Sequence, residues 1–217
     1  MTELEALRER HSVRNYKDTK IDKDTLDRLS EFIEKCNAEG NLNIKLCPDA
    51  KKTYNKLMNK AMGLGSAPSV IACIGKDDAT LDERVGYYGQ KIVLFAQSLG
   101  LNTCWTGTYN AKNVPAVVGA GERLAIVIAL GYGINPGRER KSKSIDQVTS
   151  AENMPDWFKA GVEAALLAPT AINQQKFEIK LNDDNTVDFI DKGGILSKID
   201  IGIVKYNFEV GSKSVEK

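Results

Sequence analysis

Arg10, Ser12 and Arg14 alternate near the start of the chain. Two guanidinium forks with a hydroxyl between them can converge on a phosphate, whose oxygens match the fork geometry. The same spacing also suits a solvated charged face. His11, between them, has no sequence neighbour to orient it as a base. A second polar group lies far downstream, in Ala164-Ala165-Leu166-Leu167-Ala168-Pro169-Thr170-Ala171-Ile172-Asn173-Gln174-Gln175-Lys176-Phe177. Pro169 cannot sit inside a helix and pushes the residue before it out of the helical region. The turn after it presents Thr170, Asn173 and Gln174, whose hydroxyl and amides suit the polar edge of a planar ligand. Taken alone, the stretch is also a helix stop before a strand.

The elements that must position these groups follow from periodicity and punctuation. Thr2 and Glu5 have capping-box spacing, so a short helix runs to about Glu9 and delivers Arg10. Asp22 or Asp24 caps a helix to about Asn37, with Leu26, Leu29 and Ile33 on one face. A further helix is predicted over Asp49 to Met62. Ala67 to Gly75 is a short apolar run bounded by Pro and Gly, hence a buried strand. Glu83 to Leu99 carries Val85, Tyr88, Ile92, Phe95, Ala96 and Leu99 at helical spacing and reads as a central, mostly buried helix. Gly100 and Leu101 close it as in a Schellman cap. Arg123 to Leu130 is the clearest strand. The basic stretch Arg138-Glu139-Arg140-Lys141-Ser142-Lys143 after it reads, on its residues alone, as a solvated loop.

Ser150 to Asn153 is the best internal boundary, dividing the chain into residues 1–150 and 151–217. Pro155 then opens a helix at the position Pro prefers. Trp157, Gly161, Val162, Ala165 and Leu166 form its buried face. Phe177 to Leu181 and Thr186 to Ile190 read as a hairpin around Asn182–Asn185. Ile199 to Val210 reads as a final amphipathic helix, with a polar, frayed tail after Gly211.

Composition narrows the class. The 217 residues can bury a sizeable core, and 42% hydrophobic and 27% charged content is ordinary for a globular protein. A formal charge of +1 gives no field suited to nucleic acid or an anionic membrane. No apolar run approaches the roughly 20 residues of a membrane span. The acidic start Met1-Thr2-Glu3-Leu4-Glu5 lacks the features of a signal peptide, so a cytoplasmic address is expected. Cys36, Cys47, Cys73 and Cys104 form no close pair and, with a single histidine, no zinc pattern; reduced structural thiols are expected and no metal. The Gly-x-Gly-x-x-Gly fingerprint of a dinucleotide fold is absent.

Arg10-His11-Ser12-Val13-Arg14 together with Ala168-Pro169-Thr170-Ala171-Ile172-Asn173-Gln174-Gln175 resembles the FMN-dependent nitroreductase family, whose members carry Arg-x-Ser-x-Arg and an Ala-Pro-Ser-x-x-Asn-x-Gln segment. Leu99-Gly100-Leu101-Asn102-Thr103-Cys104-Trp105-Thr106-Gly107 resembles the family's Gly-Leu-Gly-Thr-x-Trp loop, and Lys141 and Lys143 match its Lys-x-Arg clamp. The usual order places the second segment soon after the first; here it lies about 150 positions later. That displacement resembles the tandem, Thermotoga-type branch of the family. It implies an α+β nitroreductase-like fold with a central, mostly antiparallel sheet flanked by helices. It also implies an internal pseudo-dimer, in which residues 151–217 complete in cis a flavin site that two subunits usually share.

The resemblance further implies the cofactor, FMN, with NAD(P)H as electron donor. Arg10, Arg14, Lys141 and Lys143 would neutralise its phosphate, with Ser12 adding a hydrogen bond, or one of the two arginines, Arg14, would instead face the pyrimidine edge of the flavin; His11 and Arg140 are further cofactor-binding candidates. The backbone of Thr106 and Gly107, beside Trp105, would approach the reactive edge, and Pro169, Thr170, Ala171 and Asn173 would meet the ring from the other part of the chain. No side chain is expected to be catalytic, because hydride passes from nicotinamide to flavin and then to a nitro-aromatic, quinone or similar small acceptor. A monomer or weak homodimer is expected. The alternatives are a flavin-binding or storage protein without turnover, and an interaction protein on a degenerate nitroreductase fold.

Overall fold

In the computed structural model, residues 1–54 and 64–215 are described. Five α-helices are found there: α1 (Glu3–Glu9), α2 (Lys23–Gly40), α3 (Leu81–Ser98), α4 (Asp156–Ala165) and α5 (Ser197–Lys213). The strands are β1 (Lys45–Cys47), β2 (Ser69–Lys76), β3 (Asn102–Thr106), β4 (Glu122–Gly131), β5 (Phe177–Leu181) and β6 (Val187–Asp191). The first four form one antiparallel sheet in the order β1-β2-β4-β3, and β5 and β6 form a separate hairpin. The fold is α+β with a mostly antiparallel sheet, as the resemblance implied.

Alternation along the central strands explains a sheet buried on both faces. Val70, Ala72 and Ile74 of β2, with Val127 and Ala129 of β4, face a core completed by Val13, Tyr16, Tyr54 and Leu64. Ile71, Cys73, Ile126, Ile128 and Leu130 point the other way, into the larger core. That core holds Leu29 and Ile33 of α2, Val85 and Ile92 of α3, Phe158 and Val162 of α4, Ile179 of β5, and Val204 and Phe208 of α5. Residues on both sides of the expected boundary thus share one core. All four cysteines are buried free thiols.

Local signals set most element ends. Thr2 and Glu5 make both bonds of a capping box, and the Asp22 side chain caps α2 through Thr25 N–H. Gly100 N–H donates to the Gln97 carbonyl and Leu101 N–H to that of Ala96, which is the Schellman pair. One expectation differs. The helix over Asp49 to Met62 is a single 3-10 turn at Lys51–Tyr54 in its described part, and residues 55–63 lie outside the described residues. Within the stretch that resembles the family loop, Asn102–Thr106 is a paired strand, because its backbone finds the free edge of β4.

Helices α3 and α5 cross in direct backbone contact. A Cβ on Gly86 would lie 2.1 Å from the Ile199 carbonyl oxygen, and one on Gly202 would lie 2.1 Å from that of Glu83. Only glycine at both positions lets the axes approach so closely. The crossing places the start of α5 beside the open end of β3, where the main cavity lies. Among the described residues no helix is long and apolar enough to cross a membrane, and no acidic, histidine and cysteine cluster could hold a metal ion.

Candidate functional site

A cavity of about 940 Å³ opens between the N-terminal segment, the end of β3, the loop after β4, the turn after α4 and the start of α5. That volume suits a single cofactor-sized molecule. One wall is His11, Ser12, Arg14 and Asn15. This segment is tied to the sheet: Ser12 bridges Thr103, Val13 N–H donates to the Thr103 carbonyl at 3.0 Å, and Lys17 N–H to that of Tyr132 at 2.8 Å. The floor is Cys104, Trp105, Thr106, Gly107 and Thr108. Opposite stand Pro169 to Asn173, then Ile195, Leu196, Ile199, Asp200 and Ile203.

The cationic end holds the sharpest anomaly. Arg10 is 3% exposed, and none of its guanidinium nitrogens has a hydrogen-bond partner. Burial first, and then the neighbouring Arg140 charge, push it from 12.5 down to about 10. Arg140 is itself lowered by burial; its Nη2 donates to the Leu166 and Ala168 carbonyls at 3.0 and 2.9 Å, while its Nε is unpaired. Arg140 so caps the end of α4, where a cation meets the carbonyl end of the helix. Arg14 and Arg138 also line the cavity. Buried cations ordinarily carry an anion or a full set of acceptors; Arg10 has neither from the protein.

The floor is fixed by internal bonds. Thr106 Oγ1 donates to the Val127 carbonyl at 2.7 Å, so at its 2.9 Å contact with Tyr54 the phenol must donate. Its hydroxyl is therefore committed inward, leaving backbone at the cavity. Trp105 Nε1 donates to Gln90 Oε1 (3.3 Å), Gln90 Nε2 to Asn207 Oδ1 (2.9 Å), and Asn207 Nδ2 to the Ala164 carbonyl (3.2 Å). Because indole only donates and carbonyl only accepts, both amide orientations in this relay are determined. Burial raises the Cys104 thiol, with Arg14, Arg10 and Ser12 pulling the other way.

The turn after α4 is held in an uncommon conformation. Ile172, Asn173 and Gln175 have φ of 47°, 56° and 45°. Left-handed backbone at a β-branched residue is strained, and Ile172 is 82% exposed, so no packing favours it.

Of the residues singled out from sequence, His11, Ser12, Arg14, Trp105, Thr106, Gly107, Arg140, Pro169, Thr170, Ala171 and Asn173 line this one cavity. Three do not. Arg10 lies behind the wall, next to Arg140. Lys143 turns its ammonium to the Gln175 carbonyl at 2.7 Å, and Lys141 is exposed, its carbonyl accepting from Asn173 and Gln175. Their loop supplies Arg138 and Arg140 to the cavity instead. Asn173 is also partly committed, through the 2.9 Å bond of its amide to Lys141. Sequence reasoning passed over Arg138, Cys104, Asp200 and the apolar Ile195 and Leu196. Asp200 had a signal, as one charge among Ile199, Ile201 and Ile203. Ile195 and Leu196 had none, since an exposed apolar loop residue is ordinary.

Comparison with known proteins gives a consistent answer. A family model described as "Putative TM nitroreductase" matches residues 3–212. The structure of a "putative nitroreductase" from Thermotoga maritima has a TM-score of 0.72 at 24% identity, covering 99% of this chain and 85% of that one. A Desulfovibrio desulfuricans nitroreductase structure, likewise described and solved in complex with FMN, has a TM-score of 0.57 at 18% identity, covering 71% of this chain and 99% of that one. A Parabacteroides distasonis structure, described as "Putative NADH dehydrogenase/NAD(P)H nitroreductase", has a TM-score of 0.53 at 18% identity, covering 70% of this chain and 98% of that one. At these identities the structural likeness is one of fold. None of the curated proteins compared matches the chain.

Proposed function

The chain belongs to the nitroreductase family of the Thermotoga type, and on that premise we propose that it is an FMN-dependent oxidoreductase, taking electrons from NAD(P)H and passing them to a nitro-aromatic, quinone or similar small acceptor. The observation that carries the reading is the Arg10 guanidinium, buried without a partner beside Arg140. A doubly charged phosphate supplies the anion this end of the cavity lacks. The residues present fit the group. Arg14, Arg138 and Arg140, with the Ser12 hydroxyl, line the cavity and would hold the phosphate, and the charge of Arg10, next to Arg140, would add to theirs. Trp105 and the backbone of Thr106 and Gly107 would underlie the ring, and Thr170 to Asn173 would offer hydroxyl and amide groups to its polar edge.

Bound FMN supplies the two-electron redox chemistry. The protein's share is placement. Gly107 carries no side chain at the floor, and an added Cβ would come within 3.1 Å of Leu196. Apolar Ile195, Leu196, Ile199 and Ile203 line the cavity as well and suit the body of a planar ring. The FMN-bound structure and the one described as an NAD(P)H nitroreductase support cofactor and donor. We further read residues 151–217 as standing where a partner subunit stands in two-chain relatives. What supports this is that the Arg14 and Thr170 walls face one cavity within a single chain.

The test is spectroscopic. The purified protein, or protein reconstituted with FMN, should show the visible flavin bands and bleach when NADH or NADPH is added without oxygen. Stable colour under both donors would leave a flavin binder without turnover. Failure to take up FMN at all would refute the reading.

A further inference from the structure

Asp200 sits at the start of α5 among Ile199, Ile201 and Ile203, is 7% exposed, and lines the cavity. Its Oδ1 and Oδ2 accept from Ala171 N–H at 3.0 and 3.1 Å, and Oδ2 also accepts from Gln174 Nε2 at 2.8 Å. The Gln174 amide donates in turn to the Ile195 carbonyl at 2.8 Å. One carboxylate thus joins α5, the turn after α4 and the loop before α5. From the other side the basic loop holds the same turn, through Asn173 to the Lys141 carbonyl and Lys143 to that of Gln175. The turn is clamped between the two, and its left-handed residues are a conformation that an unclamped chain would leave.

Burial raises Asp200 from 3.8 to about 6, with Gln174 and Ala171 opposing and Asp191 adding to the rise. The cations lining the same cavity are Arg14, Arg138 and Arg140, with His11 and Cys104 the other titratable groups. The folded chain therefore binds this proton more tightly than the unfolded chain. Asp200's contribution to stability is greatest below the unfolded value and falls as pH rises through the window up to about 6. At neutral pH the fold keeps a charge it disfavours, on a cavity wall. A local cost at such a place points to function.

We propose that Asp200 is a positioning residue, whose ionised carboxylate holds the Ala171–Gln174 turn in the conformation that receives the flavin, so that the cavity loosens when Asp200 takes up a proton. This rests on the FMN reading above. An asparagine cannot replace it, because its NH2 would face either the Ala171 N–H or the Gln174 amide, both donors.

The test compares wild type with Asp200→Asn between pH 5 and 8. In ligand-free protein, amide exchange across residues 167–176 should be faster in the variant, and in wild type it should speed up, after correction for intrinsic rates, as pH falls through about 6. FMN should bind the variant roughly tenfold more weakly at pH 8, the scale of one lost charge-assisted bond. The ratio of the two dissociation constants should shrink toward one by pH 5. The cofactor's own phosphate titrates near pH 6 in both proteins and cancels in the ratio. Thermal stability of the variant at pH 7 should be no lower than wild type, which a merely structural carboxylate would not allow. Unchanged exchange, a ratio flat with pH, or stability lost in step with affinity would overturn the proposal. If wild type takes up no FMN, the proposed function fails, and exchange across the turn alone still decides for or against the clamp. Gln174→Met keeps the question open should Asp200→Asn not fold. It removes one donor, so turn exchange should speed up and its pH transition should move upward.

Discussion

Arg10→Met tests the cofactor assignment through stability as well as binding. Methionine keeps most of the aliphatic stem and removes the charge. Burial, and then the Arg140 charge, hold the guanidinium down at about 10 in the fold, a cost on the order of a few kcal/mol against the folded, ligand-free protein. At pH 7 the group is charged both folded and unfolded, so this penalty is fully present; it lessens only as pH rises above about 10. Ligand-free Arg10→Met should therefore be more stable than wild type by up to a few kcal/mol. At about 2–4 °C per kcal/mol for a chain of this size, Tm should rise by several degrees. FMN should behave oppositely. Losing the Arg10 charge behind the phosphate end should weaken binding by about tenfold, the scale of about 1.4 kcal/mol. Thermal melts with and without FMN read both effects, since a ligand raises Tm through RT ln(1 + [L]/Kd). A variant that melts lower without ligand, yet gains as much as wild type from FMN, would show that Arg10 is a structural cation and would refute the reasoning.

Three further substitutions probe the frame around the site. Gly202→Ala places a Cβ 2.1 Å from the Glu83 carbonyl oxygen and 2.6 Å from Tyr87 N. Backbone on both sides cannot yield cheaply, so the urea midpoint should fall by the equivalent of at least about 1–3 kcal/mol; an unchanged midpoint would mean that the helices part at no cost. Gln90→Leu leaves Trp105 Nε1 and Asn207 Oδ1 without their partners, at about 1–3 kcal/mol for each stranded group. Lower Tm with altered tryptophan emission is expected, and wild-type values of both would discount the relay. Ile172→Asn exchanges a β-branched residue at φ 47° for one that tolerates the left-handed region, and 82% exposure means that little packing is lost. Denaturant stability should rise by about 1 kcal/mol, and a fall would show that Ile172 makes contacts the exposure does not reveal.

Sequence was most informative where one local rule acts alone. The capping box at Thr2, the Schellman pair after Gly100 and the alternating apolar faces of the long strands each follow from a few neighbouring residues. The short strand Asn102–Thr106 was hidden, because its pairing depends on the free edge of a partner more than 15 residues away. The site was legible as residue types but not as directions. Arg138 and Lys141 look alike in a basic run and both are exposed, yet only Arg138 lines the cavity, while Lys141 offers its carbonyl to the turn. Nothing local distinguishes them; the choice follows from Arg140 capping α4 and Lys143 reaching Gln175, both tertiary contacts. The close contact of α3 with α5 depends on two glycines 116 positions apart, Gly86 and Gly202 (202 − 86), whose pairing no periodicity announces.

What separates this cavity from a packing defect is that independent penalties meet there. Arg10 is a desolvated cation without an anion, Asp200 a carboxylate whose ionisation burial opposes, and Ile172 a branched residue in left-handed backbone. Each arises from a different piece of physics, and each could be relieved by a single substitution that leaves the core intact. The three lie on segments far apart in the chain: the end of α1, the start of α5 and the turn after α4. Folding economy alone gives no reason for them to gather. A bound phosphate-bearing planar ring gives one reason for all three, because it supplies the missing anion at Arg10 and needs the turn that Asp200 holds and Ile172 occupies. Relieving the charge penalties at Arg10 and Asp200 separately should therefore leave a firmer protein that binds flavin less well, and the opposite correlation would count against a cofactor site in this place.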